Sequence, residues 1–265
     1  MFRTVIWKDA SSNRDFEQTM KKTILAANWK MYLNENESID FINRINQEES
    51  SFSNANVILF PSHTCINQVQ KNLKSNNIKI GMQDCDIHTS GAYTGSVSIN
   101  SITTVDYCIV GHSERRLIYN DTNSIIQNKL QTVFNHDVNA ILCIGETNEE
   151  KDNNQTHSVI DKQLNILPKD LKNNLTIAYE PVWSIGSGNL PSNKYIEEVL
   201  SYIKNKLKSL YSDEIAEKVI LLYGGSVDEN SVNRLLEVKL INGFLIGSAS
   251  ANFEAFKAIA EKIKL

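Results

Sequence analysis

The chain has 265 residues, enough for two small domains or one α/β barrel, and its 41% hydrophobic and 22% charged residues describe a globular protein with a sizeable core. A net charge of −4 with no basic patch argues against a nucleic-acid partner, and apolar runs such as 219–223 fall far short of the roughly 20 residues a membrane span needs. Cys65, Cys85, Cys108 and Cys143 are widely spaced and the five histidines are scattered, which predicts buried reduced thiols in a reducing compartment and offers no metal-ligand spacing.

Residues 1–22 lack the apolar core of a secretory signal, and Asp9, Asp15 and Glu17 argue against an amphipathic organellar presequence. They are read as an extension of unknown role, with a trimmed or weak targeting segment left open, ahead of a single domain over 23–265. Short β-rich runs then recur at 23–28, 57–60, 78–82, 107–110, 140–144, 176–180, 219–223 and 243–246. Between them lie helix-period apolar positions, for example Ile39, Ile42 and Ile45, or Val199, Tyr202, Ile203 and Leu207 after a capping Ser192. Strands alternating with helices pair in parallel through right-handed crossovers, so the expected fold is an α/β (β/α)8 barrel, with a doubly wound open sheet as the alternative.

A barrel collects its chemistry at the C-terminal ends of its strands. There the sequence places Asn28-Trp29-Lys30, Gln83-Asp84, Gly111-His112-Ser113-Glu114-Arg115-Arg116, Gly145-Glu146, Glu180, Gly224-Gly225-Ser226 and Gly247-Ser248. Pro181 must turn the chain out directly after Glu180, and the loop beyond it holds bulky Trp183 and Ile185 ahead of Gly186 and Gly188, as a loop that closes onto something would. Singly, Lys30 reads as a solvated cation and His112 as a structural histidine. With Glu180 they make a base, an electrophile and a positive charge, the parts that move a proton on the carbon beside a carbonyl. Glu114 reads by itself as a helix-start carboxylate, Arg115 and Arg116 as structural or subunit salt bridges, and Gly224, Gly225 and Gly247 as tight turns compatible with a bound anion. Ser226 is undecided on this chemistry.

These stretches, together with Gly91-Ala92-Tyr93-Thr94-Gly95, Cys143-Ile144-Gly145-Glu146-Thr147, Ala178-Tyr179-Glu180-Pro181-Val182-Trp183 and Tyr223-Gly224-Gly225-Ser226-Val227, closely resemble the triosephosphate isomerase family over roughly 23–263. The resemblance implies a cofactor-free interconversion of glyceraldehyde 3-phosphate and dihydroxyacetone phosphate through an enediol(ate), a step of glycolysis and gluconeogenesis, by a cytoplasmic homodimer. It implies Glu180 as the base, His112 as a neutral electrophile, Lys30 as the stabilising cation and Asn28 as a donor to the substrate oxygens. Gly186, Ser226, Gly247 and Ser248 would hold the phosphate, Tyr223 would latch the loop, Glu114 would support the site from beside the base, and Thr94 would insert into the partner. The chain departs from the family pattern at Ser248, at Ser96, which cannot pair with Arg115 across a dimer, and at Asn189-Leu190-Pro191, where proline should stiffen the loop's hinge. Those departures motivate a second reading, a catalytically weak barrel kept for phosphate binding or interaction. An aldolase-like barrel would want a Schiff-base lysine at a strand end; Lys30 follows the first strand, and no other strand-end lysine is evident.

Overall fold

The computed structural model describes residues 22–263 apart from 103, 172–174 and 187, so the expectations for the N-terminal extension, Lys22 excepted, and for Ser187 lie outside the described residues. Eight parallel strands, β1 (Thr23–Asn28), β2 (Ala55–Phe60), β3 (Lys79–Met82), β4 (Tyr107–Val110), β5 (Asn139–Ile144), β6 (Leu175–Tyr179), β7 (Ile220–Tyr223) and β8 (Gly243–Ile246), close in sequence order. Because β8 pairs back onto β1, with Ile24 opposite Gly243 and Ala27 opposite Ile246, the open-sheet alternative is overturned. Around them run α1 (Glu35–Gln47), α2 (Ile66–Asn72), α3 (Ser113–Leu117), α4 (Asn123–Asn135), α5 (Asn148–Asp152), α6 (Thr156–Leu164), α7 (Asn193–Leu210), α8 (Asp213–Lys218), α9 (Val232–Leu235) and α10 (Phe253–Glu261).

The strands are largely apolar, with polar residues such as Lys79 and Asn139 mostly at their ends, because both faces are covered. Alternate residues divide into two packed groups. Ile24 and Ala26 of β1, Phe60 of β2, Cys143 of β5, Leu222 of β7 and Leu245 of β8 belong to the group that fills the barrel. Their neighbours, such as Leu25, Leu59 and Leu221, pack instead with buried helix residues including Phe41, Ile203 and Phe256. Truncating a fully buried Leu222 to Ala in such a close-packed interior costs about 2–5 kcal/mol.

The expected strands appear with ends shifted by no more than two residues. On α1 the buried face is Ser38, Phe41, Ile42 and Ile45, with Ile39 only half-buried, and on α7 Tyr202 is likewise half-buried beside buried Val199, Ile203 and Leu207. Ser192 caps α7 as expected, its hydroxyl accepting from the Tyr195 amide at 3.1 Å. All four cysteines are buried free thiols. Among the described residues no helix is long and apolar enough to cross a membrane.

Candidate active site

The end of β1 turns on an unfavourable backbone. Lys30 sits at φ 50, a left-handed conformation costing a non-glycine residue roughly 1–2 kcal/mol. It is held there by its neighbours: its amide donates to Asn28 Oδ1 at 3.2 Å, and its carbonyl accepts from Gln83 Nε2 at 2.8 Å and Ser62 Oγ at 3.1 Å. Trp29 is buried against Phe41, with ring centroids 4.8 Å apart. The strained turn thereby sends Lys30 inward, where Nζ lies 2.5 Å from Glu114 Oε1.

At the end of β4, His112 is the N-cap of α3, and its Nδ1 accepts from the Glu114 amide at 3.2 Å. Its Nε2 lies 3.3 Å from Glu180 Oε1. Glu180 follows the last residue of β6; its amide still donates to Ile144 O at 2.7 Å, and Pro181, lacking an N–H, ends the ladder there. Its carboxylate is 2% exposed, with Oε2 accepting from the Ser113 amide at 3.0 Å. Cys143 is its other neighbour: burial first, then the charge of Glu180, pushes that thiol well above the usual range and keeps it a proton donor. Gly224 is small for the same reason, since a Cβ there would stand 2.8 Å from Glu180 Cγ.

The carboxylate of Glu114, expected beside the base, reaches Lys30 and lies 3.7 Å from His112 Nδ1, and the amide of Ser113 at the start of α3 donates to Glu180 itself. Successive residues of a helix point about 100° apart, so one first turn serves two neighbours. Ser113 was legible only as a helix start with unsatisfied N–H groups.

The loop after β6 begins as a 3-10 turn over Val182–Ser184. Trp183 Nε1 donates to Glu146 at 2.8 Å, and Glu146, read in the sequence only as a strand end, is fully buried. Ser226 Oγ donates to Ser184 O at 2.5 Å, and the Tyr223 hydroxyl lies 3.3 Å from Ser184 Oγ, so both residues after or within β7 grip the base of the loop. Gly186 lies further out at φ 65, which a side chain would strain. Beyond it, the Pro191 carbonyl, where the sequence led us to expect the loop's hinge, accepts from Arg234 Nη2 of α9 at 2.8 Å. At the end of β8, a Cβ on Gly247 would lie 3.4 Å from Lys30 Cε, and Ser248 opens a 3-10 turn without joining the non-glycine residues at positive φ, so serine is unstrained there. Thr94 is exposed in its loop.

Arg115 and Arg116 are structural within the chain. Arg116 donates to the carbonyls of Gly111 at 2.7 Å and Cys143 at 3.0 Å. Arg115 Nε lies 3.1 Å from Asp84 and 3.2 Å from Asp121, and the buried Lys129 bridges the same two carboxylates at 2.7 Å. Lys129 and Arg115 hold Asp121 below the ordinary range, whereas burial drives Asp84 upward; the close bidentate contact from Lys129 favours an ionised Asp84. Next to this quartet a cavity of about 350 Å³ is lined by Lys30, His112, Met31, Gly95 and Tyr119, but not by Glu180. Carboxylate, imidazole and ammonium thus form a continuous polar chain through Glu114, with the cavity beside it.

A family model described as triosephosphate isomerase matches residues 23–263. A protein named triosephosphate isomerase from Alkaliphilus oremlandii is 37% identical over 246 residues, covering 91% of this chain and 99% of the relative. One from Endomicrobium trichonymphae is 37% identical over 251 residues, covering 92% and 100%, and one from Clostridium tetani 35% identical over 246 residues, covering 91% and 96%.

Proposed function

The chain belongs to the triosephosphate isomerase family and is an isomerase that interconverts triose phosphates; on that premise we propose that Glu180, His112 and Lys30 carry the reaction. The observation supporting these roles is the 3.3 Å approach of His112 Nε2 to Glu180, with Lys30 joined to the same turn through Glu114. Glu180 takes a proton from the carbon beside the carbonyl, whose electron pair moves to form the enediolate, and returns the proton to the neighbouring carbon. His112 donates from Nε2 to the carbonyl oxygen and passes protons between the two substrate oxygens. Lys30 attracts the dianionic substrate and stabilises the developing negative charge, and Asn28 donates to the substrate oxygens.

Loop 181–188 closes over the phosphate, with Gly186, Ser226, Gly247 and Ser248 as its binding groups and Tyr223 as the latch. Closure excludes water from an intermediate prone to expel phosphate. Residues 23–265 act as one domain, no cofactor takes part, and the setting is glycolysis and gluconeogenesis in the cytoplasm, consistent with four free thiols. A homodimer is supported by exposed Met31, Tyr93, Leu117, Ile118 and Tyr119 on the segments that follow β1, β3 and β4, Leu117 as the last residue of α3. No observation favours the catalytically weak barrel, since Ser248 is unstrained and Arg115 is neutralised without Ser96.

A coupled assay in both directions on the parent and on Glu180→Asp tests these roles. Withdrawing the carboxylate by one methylene should lower kcat by about 100-fold or more. An unchanged kcat would remove Glu180 from the mechanism.

A further inference from the structure

Strand β5 outlasts its neighbour β4. Their last pair is Val110 with Leu142, beyond which Gly111 turns β4 away at φ 72, whereas β5 stays paired with β6 as far as Ile144 opposite Tyr179. The edge that β4 abandons presents the carbonyl of Cys143 and both backbone groups of Gly145, which seldom go unpaired inside a fold. Side chains take the place of the strand. Arg116 Nη2 donates to Cys143 O at 3.0 Å. The buried Gln163 of α6 meets Gly145 twice: its Oε1 accepts from the Gly145 amide at 2.8 Å and its Nε2 donates to the Gly145 carbonyl at 3.1 Å.

A primary amide carries a donor and an acceptor side by side, as a peptide does, so Gln163 continues the sheet for one residue where β4 has gone. The other side of the Gly145 peptide is the backbone of the proposed base. A Cβ on Gly145 would collide with the Glu180 carbonyl, and the Glu180 amide donates to Ile144 O, one residue before, at 2.7 Å. Without Gln163 the Gly145 groups must shift or draw in water, and the backbone pressed against them shifts too.

Resting on the isomerase reading above, we propose that Gln163 is a positioning residue: its side-chain amide clamps the Gly145 peptide against Glu180 and so fixes where the base meets the substrate carbon. Gln163 does not line the cavity beside Lys30 and His112, so its loss should show in the chemical step and not in substrate binding.

Gln163→Met in the full chain, nearly equal in length and unable to make either bond, tests this. The variant's kcat should fall by about tenfold with KM moved less than twofold, because a displaced base loses rate without losing affinity. Amide exchange should quicken by about tenfold at Gly145 and several-fold at Glu180, but not at Ile177 in the middle of β6. Leu164→Ala, fully buried on the same helix, should lower the thermal midpoint and leave kcat in place, which separates the clamp from general support by α6. Gln163→Asn, one methylene too short to span both bonds, should show the same kcat and KM pattern and stands in if the Met variant does not fold. An unchanged kcat, an unchanged exchange rate at Glu180, or an equal loss of kcat in Leu164→Ala would each overturn the proposal. A parent that exchanges as described but does not isomerise would instead overturn the isomerase reading and the catalytic half of the inference with it.

Discussion

The backbone N–H of Glu114 donates to Nδ1 of His112 at 3.2 Å, while Nε2 of the same ring faces Glu180 at 3.3 Å. An amide can only donate, so Nδ1 carries no proton and a neutral imidazole keeps its proton on Nε2. In ¹⁵N-histidine-labelled protein near pH 8, His112 should therefore show a bare Nδ1 and a protonated Nε2. His112→Gln keeps a donor at that place but cannot relay a proton, and should lower kcat by about 100-fold or more. The opposite tautomer in the spectrum would leave no donor for the carbonyl.

Lys30 tests the electrostatics. Its ammonium pairs with Glu114 and lines the cavity, in a chain whose net charge of −4 would otherwise repel a dianion. Lys30→Met should lower kcat/KM by about 10²–10³ and flatten its dependence on ionic strength, because the parent's attraction is screened by salt and the variant has little to screen. Steady-state kinetics across a salt series measures both.

The barrel was legible because burial on both faces makes each strand a largely apolar run, and Pro181 marks where β6 must release Glu180. Its closure was not, since no residue of β8 announces β1 as its neighbour. Lys30, His112 and Glu180 could be nominated because strand ends in a barrel converge. Their contacts could not: Lys30 and Glu114 are 84 residues apart, and whether Glu114 or the Ser113 amide faces the base depends on how α3 leaves β4. Glu146 was legible only as a strand end for the same reason, since nothing in the sequence shows that the fold brings the Tyr195 hydroxyl within 3.0 Å of it. On α1 the spacing of three isoleucines selected Ile39, but the helix turns Phe41 inward onto the rings of Phe253 and Phe256 of α10, which in turn pack on Phe52 of the 49–52 turn.

Alkaline pH should unfold the protein through its buried tyrosines. Burial pushes both Tyr211 and Tyr223 up to about 12. A raised folded-state value means that the neutral phenol is favoured in the fold, so this stabilisation is complete below the unfolded value near 10 and is lost as pH rises through about 12. The thermal midpoint followed by circular dichroism should fall over that window. In Tyr211→Phe, which loses a 2.5 Å bond to the Pro168 carbonyl, the fall should be shallower from a lower starting point.

The proposed dimer should depend on shape and apolar contact rather than on charge. Met31 is 89% exposed and Ile118 66%, and Tyr93, in the loop that carries Thr94, stacks on His88 at 3.7 Å, with His88 in turn bonded to Asp86 at 2.8 Å. The loop is thus stiffened before any partner arrives, which lowers the ordering cost of association. Ser96 carries no charge, and Arg115 is already neutralised by Asp84 and Asp121 within its own chain. Raising ionic strength from about 0.05 to about 0.5 M should then change the dissociation constant by less than about threefold, whereas Tyr93→Asp should raise it by about 100-fold, as loss of a central aromatic anchor does. Sedimentation velocity over a dilution series reads both. Activity per chain should fall in step with dissociation, because Met31, Gly95 and Tyr119 line the same cavity as Lys30 and His112, and a departing partner would open that wall to water.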